Sequence, residues 1–431
     1  MREEGSVPRM LANCLPRSDQ FAQFLSKMYR TWMIVSTLAV FVSAGRYKAP
    51  DPSEVHFRYN YVPTLKELVT DEGYQLDKHS VTTEDGHILA LHRITPRGTN
   101  SKNRGFPVLI INGFAFQAEG WFALGSSSLP FILTDLGYDV WVGDQRGNIR
   151  SIKHVSFPDD DFRNHNYTFH EQGIYDLPAF IDYIIKETDR SQILYVGYSL
   201  SSGMMIVMNS ERPEYNDKIL GAVSLAPAGH LKKWSENSFD YLAGLKVTDS
   251  MIESQIMNGQ WLLFGKYNVV KNSLLRCSTM VIDSVCRLMI YNMYGASDAM
   301  DPKTMFSQFA MTVTSSSVFV GKHLLQTIKR GKFCKYDYGP EENLQVYGDE
   351  TPPVYNFQST RIPVYLFHSG TDKMVQPDAA RRTAKGLGNL VKTKFLKHFN
   401  HADYLFAKTA PKLVYEDIVD YFDNLVTTTL N

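Results

Sequence analysis

Short apolar runs alternate with amphipathic stretches over most of this chain. Val108-Leu109-Ile110-Ile111, Asp139-Val140-Trp141-Val142, Ile193-Leu194-Tyr195-Val196, residues 219–225, Val364-Tyr365-Leu366-Phe367 and Thr393-Lys394-Phe395-Leu396 have the length and the β-branched or aromatic content of strands. Between them, residues 121–136, the positions Ile174, Leu177, Ile181 and Ile184, residues 377–385 and residues 411–426 carry helical spacing. Strand and helix in alternation predict an α/β fold, a mostly parallel sheet flanked by helices. Upstream, residues 81–89 surround Asp85-Gly86, a turn pair that predicts an antiparallel hairpin at the sheet edge. Thr168 and Glu171 have capping-box spacing and open the helix that leads to the run at 193–196. From about residue 230 to residue 347 the rhythm dissolves into helical fragments rich in Met, Phe and Tyr. That stretch is expected to be a helical cap inserted into the core, dividing the chain into a first core part at 45–229, a cap or lid at 230–347 and a second core part at 348–431.

The run at 193–196 leads into Gly197-Tyr198-Ser199-Leu200-Ser201-Ser202-Gly203 and then into an apolar helix start. A serine on a tight strand-to-helix turn exposes its Oγ above the sheet edge, and the next N–H, at a helix N-terminus, faces the place where an oxyanion would form. Ser199 is therefore the candidate nucleophile and Leu200 a candidate oxyanion donor. The usual final glycine of such a turn is Ser201 here, which keeps the position small but not bare. The bland alternative is a serine-rich loop without chemistry.

Serine needs a base, and the base needs an acid to fix its tautomer and stabilise its cation. On this fold the order is Ser, acid, His. Asp372 follows the run at 364–367, and His401 follows the run at 393–396. From position alone His398 competes with His401 for the base, and Asp378 and Asp403 compete with Asp372 for the acid. Asn112-Gly113-Phe114 follows the run at 108–111, so Phe114 N–H is the candidate second oxyanion donor. No His-Glu-x-x-His, Cys-x-x-Cys or glycine-rich phosphate loop occurs, and neither a metal nor a cofactor is expected.

Composition narrows the setting. Among 431 residues, Lys plus Arg and Asp plus Glu balance at 45 each, which gives no field for nucleic acid, and no stable protein partner is expected either. Lys27 and Arg30 precede an apolar run at 32–44 that is short for a bilayer span and reads as a signal h-region with a cleavage point after Ala44. Residues 1–44 are thus expected to be a signal peptide or an uncleaved signal anchor, with a later start at Met28 or a buried helix as alternatives. Asn166-Tyr167-Thr168 is a glycosylation sequon, so Asn166 is a candidate glycan site. Cys277 and Cys286 are close enough in sequence to close a small disulfide loop, and two reduced thiols satisfy the same spacing.

Several segments together are similar to the acid lipase family, which includes gastric and lysosomal acid lipases and their insect relatives. They are residues 81–86 with Leu89, residues 137–148 with Ser151 and His154, residues 175–179 with Ile181-Asp182, the elbow, residues 352–356, and Asn400-His401-Ala402-Asp403-Tyr404. The resemblance runs from about residue 62 to residue 426. It implies Ser199 as nucleophile, Asp372 as acid and His401, rather than His398, as base. It also implies a Cys277–Cys286 cap disulfide, cofactor-free acyl-enzyme chemistry on triacylglycerols or sterol esters at a droplet or micelle surface, and a secreted or lysosomal location. The chain departs from the family at Asn112, Leu200 and Ser201, which puts rate and substrate preference in doubt. A catalytically weak lipid binder and a small-ester esterase are the competing expectations. Phe114, Phe116, Trp121 and Phe122 are candidate acyl-pocket residues, although core packing explains them as well.

Overall fold

A computed structural model describes residues 62–96, 105–231, 246–264, 274–275, 277 and 283–430. The expected leader at 1–44 lies outside the described residues, as do parts of the expected cap, notably 232–245 and 265–273.

Eight principal strands form one sheet: β1 (Tyr74–Thr82), β2 (His87–Pro96), β3 (Pro107–Ile111), β4 (Asp139–Asp144), β5 (Ile193–Tyr198), β6 (Ile219–Leu225), β7 (Val364–Ser369) and β8 (Leu390–Leu396). Their order is β1-β2-β4-β3-β5-β6-β7-β8. β1, β2 and β4 pair antiparallel, and every pairing from β4 through β8 is parallel. Strands β3, β4, β5 and β7 are buried along their whole length, which explains why they read as continuous apolar runs rather than as alternation. The Asp85-Gly86 turn closes β1 onto β2, with Gly86 at φ 97°, a conformation that suits glycine.

The longer α-helices among the described residues, in chain order, are α1 (Leu65–Asp71), α2 (Leu129–Asp135), α3 (Leu177–Thr188), α4 (Leu200–Glu211), α5 (Lys246–Met257), α6 (Asp283–Tyr294), α7 (Met305–Thr312), α8 (Val318–Arg330), α9 (Pro340–Tyr347), α10 (Pro377–Gly386) and α11 (Glu416–Leu430). Of the stretch 121–136 expected to be helical, only α2 is an α-helix. Gly125 sits at φ 57° and Pro130 occupies the first turn, so the residues before Leu129 form two short 3-10 turns instead. The capping box at Thr168 is present, with both reciprocal bonds to Glu171. The chain then runs through a π turn at Gln172–Asp176 into α3. Between residues 246 and 347 lie α5 to α9 and a two-residue antiparallel pairing of Leu262–Leu263 with Ser316–Ser317. Among the described residues no helix is long and apolar enough to cross a membrane.

Two apolar cores lie on either side of the sheet. One gathers α2, α7 and α11 with residues such as Phe131, Phe309 and Phe422; the other gathers α3 and α4 with Phe180, Ile184 and Met205. In α8 the imidazole of His323 is wholly buried, stacks on Phe169 at 3.7 Å and donates from Nε2 to Cys334 O at 2.8 Å. Burial, reinforced by the nearby His170, holds its pKa down at about 3. An unfolded histidine takes up its proton near pH 6.5, so the native state loses stability as pH falls from there towards 3. Over pH 6.5 to 4 this one group accounts for up to about 3 kcal/mol. We expect His323→Phe to melt with a smaller difference between pH 7 and pH 4 than the parent protein, measured by thermal unfolding; an equal difference would assign the acid sensitivity elsewhere.

Candidate active site

Strand β5 ends at Tyr198 and α4 starts at Leu200, which leaves Ser199 alone to reverse the chain. It does so at φ 57°, ψ −115°, a conformation that costs a non-glycine residue on the order of 1–3 kcal/mol. Neighbouring backbone holds it there: Ser199 N–H donates to Leu225 O at 2.8 Å, and Ala228 N–H donates to Ser199 O at 3.1 Å. Ser201, in the position usually taken by glycine, is fully buried. Its Oγ lies 2.9 Å from the Ile111 and Tyr198 carbonyl oxygens and accepts from Tyr198 N–H at 2.7 Å. The extra hydroxyl is thus absorbed as a tie between β3 and the elbow.

Ser199 Oγ lies 2.9 Å from His401 Nε2, and His401 Nδ1 lies 2.8 Å from Asp372 Oδ2. All three side chains are buried. The other carboxylate oxygen of Asp372 accepts from Met374 N–H and Val375 N–H, each at 2.8 Å, which fixes the carboxylate plane. His401 is held at both ends of its backbone: its N–H donates to Tyr294 O at 3.0 Å, and its O accepts from the Tyr198 hydroxyl at 2.9 Å. The competing residues sit elsewhere. His398 is exposed, and Asp378 pairs with Arg381 on the surface of α10. Asp403 is buried and accepts from Asn400 N–H at 2.6 Å, and burial lifts its carboxyl to about 6.

The loop after β3 passes close to the nucleophile. A Cβ on Gly113 would lie 2.9 Å from the Ser199 Cβ, so glycine is what lets the Gly113-Phe114 peptide approach. Leu200 N–H is the first of α4, where helix geometry leaves it without an intrahelical acceptor. Leu200 thus opens α4 directly after Ser199, and Gly113 brings the loop after β3 against the Ser199 side chain. Asn112 is fully buried, and neither polar atom of its side chain has a hydrogen-bond partner in the structure.

The loop after β3 is braced by the segment after β4. Gln145 Nε2 donates to Gly113 O at 3.2 Å, and Asp144 Oδ1 accepts from Ala118 N–H at 2.9 Å. Burial pushes Asp144 up, but Arg150 and His92 outweigh it and hold the carboxyl at about 2. Arg146 makes two bonds to Asp85 and two to Asp176, from Nε at 2.7 Å and from its main-chain N–H at 2.9 Å, tying the β1–β2 hairpin to the turn that leads into α3. From the other side the chain after α7 pairs with the loop: Gln117 N–H donates to Thr312 O and Thr314 N–H to Ala115 O, both at 2.9 Å.

Phe116, Trp121 and Phe122 are buried in the core. Phe116 and Trp121 pack on Tyr198 at 6.1 Å and 6.3 Å, and Phe122 packs on Phe131 at 5.1 Å. Cys277 and Cys286 are joined as a disulfide, and Asn166 is exposed. Among the described residues, no group of three or more His, Cys, Asp or Glu side chains is placed to hold a metal ion. Sequence reasoning missed Tyr198, Gln145 and Tyr294 as supports. The first two lie inside motifs already singled out, whereas nothing local marks Tyr294.

Residues 65–125 match the family described as a partial alpha/beta-hydrolase lipase region, and residues 107–253 match the alpha/beta hydrolase fold. The chain is 32% identical to Lipase 1 of Drosophila melanogaster, over 82% of this chain and 78% of that protein. It is 30% identical to human gastric triacylglycerol lipase, over 82% of this chain and 89% of that protein. Among solved structures, a putative lipase from Sulfolobus solfataricus shares the fold with a TM-score of 0.55 at 14% identity, covering 82% of this chain and 95% of that one.

Proposed function

From the premise that the chain belongs to the acid lipase family of α/β-hydrolases, we propose that it is a serine hydrolase that cleaves the carboxylic ester bonds of neutral lipids, triacylglycerol or sterol ester. The observation that carries this reading is the continuous row from Ser199 Oγ through His401 to Asp372, with separations of 2.9 Å and 2.8 Å. In the first half-reaction Ser199 Oγ attacks the ester carbonyl carbon while His401 Nε2 takes its proton. The carbonyl oxygen becomes an oxyanion facing the N–H groups of Leu200 and Phe114, and Asp372 stabilises the imidazolium through Nδ1–H. The alcohol leaves with the proton from His401, and an acyl-serine remains. Water, deprotonated by His401, attacks the acyl-serine, and the released acid restores Ser199.

The burial of Ser199, Asp372 and His401 supports a site that excludes water, so an apolar substrate needs a route through the cap. On α6, Leu288, Met289 and Met293 are 61%, 55% and 57% exposed, and on α5 Met251 and Met257 are 62% and 65% exposed. Large apolar side chains left in water on one helix fit a surface that docks on lipid. Met289 and Met293 stand four apart and share a helix face. Replacing both with serine is expected to slow hydrolysis of an emulsified triacylglycerol about tenfold, because about 1–2 kcal/mol of apolar contact is lost. Hydrolysis of a short soluble ester should stay within about twofold. Equal rates on the emulsion would remove these side chains from the docking surface. The Cys277–Cys286 bond and the exposed Asn166 sequon support folding in the secretory pathway, with secretion or lysosomal delivery as the destination.

The reading is tested by incubating the protein with a fluorophosphonate probe and, in parallel, with triolein, cholesteryl oleate and a short soluble ester. Covalent labelling together with ester hydrolysis is the expected result. Absence of both would instead favour a lipid-binding relative, a reading that the unpartnered side chain of Asn112 beside the oxyanion loop keeps in view.

A further inference from the structure

Cap helix α6 ends against both loops that carry the base and the acid. Its last carbonyl, Tyr294 O, accepts from His401 N–H at 3.0 Å and from Lys373 N–H at 3.4 Å. The next carbonyl, Gly295 O, accepts from Asn400 Nδ2 at 2.8 Å. Lys373 Nζ also reaches Asn292 Oδ1 at 3.4 Å. Gly295 has φ 103°, and a Cβ there would overlap the Thr371 carbonyl oxygen and press on the Asn400 Cβ. The Tyr294 ring lies over the His401 ring, with centroids 6.2 Å apart and planes 25° from parallel. The contacts thus fall on four residues next to or within the base and acid positions: Thr371, Lys373, Asn400 and His401. The same helix carries the exposed Leu288, Met289 and Met293 on its outer surface and the disulfide at Cys286.

We infer that the Tyr294-Gly295 turn at the end of α6 is a positioning element for the triad, which sets the distance between His401, Asp372 and Ser199 from the cap side and stays seated during turnover. This rests on the hydrolase reading above and deepens it. Asp403 and the Asn400 side chain brace the base loop within itself, whereas at His401 the main-chain N–H is held by the Tyr294 carbonyl and the carbonyl by the Tyr198 hydroxyl. A displacement of about 1 Å in reacting groups lowers rates by roughly 10²-fold. This end of α6 therefore stays docked on the base and acid loops during turnover.

The test uses the full chain and two variants, Gly295→Ala and Gly348→Ala. Gly295→Ala is expected to lower kcat on a short soluble ester at least about tenfold with KM unchanged, and to slow fluorophosphonate labelling in the same proportion. Gly348→Ala, which puts the same methyl on another positive-φ glycine at a helix end, φ 75°, with no atom within 4 Å of it, is expected to match the parent protein. A folded Gly295→Ala protein with parental kcat overturns the inference, and so does an equal loss in Gly348→Ala, since general backbone strain rather than this turn would then be responsible. A second measurement needs no variant. Hydrogen exchange of the segment 397–402 should stay slow when the protein hydrolyses triolein carried in phosphatidylcholine vesicles; exchange that becomes fast during turnover overturns the seated turn. A parent protein that neither labels nor hydrolyses esters would sink the hydrolase reading instead, which is a separate outcome.

Discussion

Ser199→Ala is expected to lower kcat for ester hydrolysis by about 10⁴- to 10⁶-fold, with KM within a few-fold of the parent value. The hydroxyl is the only group of the triad that forms a bond to substrate carbon. Its removal leaves a water molecule to do the attack with the oxyanion donors and the binding surface still in place, which is why some rate remains. Alanine at φ 57° carries the same backbone strain as serine, and the ties to Leu225 O and from Ala228 N–H are main-chain bonds that the substitution keeps. Fold and melting temperature should therefore stay close to the parent protein. Steady-state rates on a soluble ester and on emulsified triolein measure the effect. A loss of less than tenfold on both would mean that Ser199 is not the nucleophile.

The second large effect is at the acid. Asp372→Asn preserves shape, and an amide oxygen could still accept from Met374 N–H and Val375 N–H. The amide NH₂ then faces His401 Nδ1, which can no longer donate there and takes the tautomer with its proton on Nε2. That nitrogen is 2.9 Å from Ser199 Oγ and has to be free to accept a proton. The imidazolium that forms during attack also loses its counter-charge. We expect kcat to fall about 10⁴-fold with KM little changed. Asp403, which is buried and accepts from the main chain at Asn400, is not placed to substitute. Pre-steady-state measurement of acylation with a chromogenic ester separates this from an effect on deacylation alone. Retention of more than a tenth of the parental kcat would reassign the acid.

Much of this is legible in the sequence. The parallel strands announce themselves as apolar runs because both faces of the sheet are covered, and a fully buried strand has no polar side to show. The elbow is readable because small residues and an abrupt change from strand to helix lie within seven positions of one another. The capping box at Thr168 and the Asp85-Gly86 turn are local hydrogen-bond and φ requirements, and both occur in the structure. Residues 121–128 were misread as helix because apolar spacing says nothing about Gly125 at φ 57°, and turn chemistry prevailed over periodicity there.

Position along the chain could not separate His401 from His398, or Asp372 from Asp378 and Asp403. His398 and Asp378 are exposed where His401 and Asp372 are buried, and Asp403 is buried but bonds to the Asn400 main chain, all of which depends on what packs around the loops. The fate of Ser201 was equally hidden, because whether a hydroxyl fits depends on the carbonyl of Ile111, 90 residues away. The cap's hold on His401 through Tyr294 is a main-chain contact, and a carbonyl has no residue type by which a sequence could mark it. What this sequence determines by itself is the set of elements and the residue that turns each strand into the next helix, since those follow from forces acting over a few residues. The tertiary structure alone decides which side chains meet: groups 202 and 29 positions apart come within hydrogen-bonding distance because parallel strands joined by crossovers deliver their carboxyl ends to one edge of the sheet.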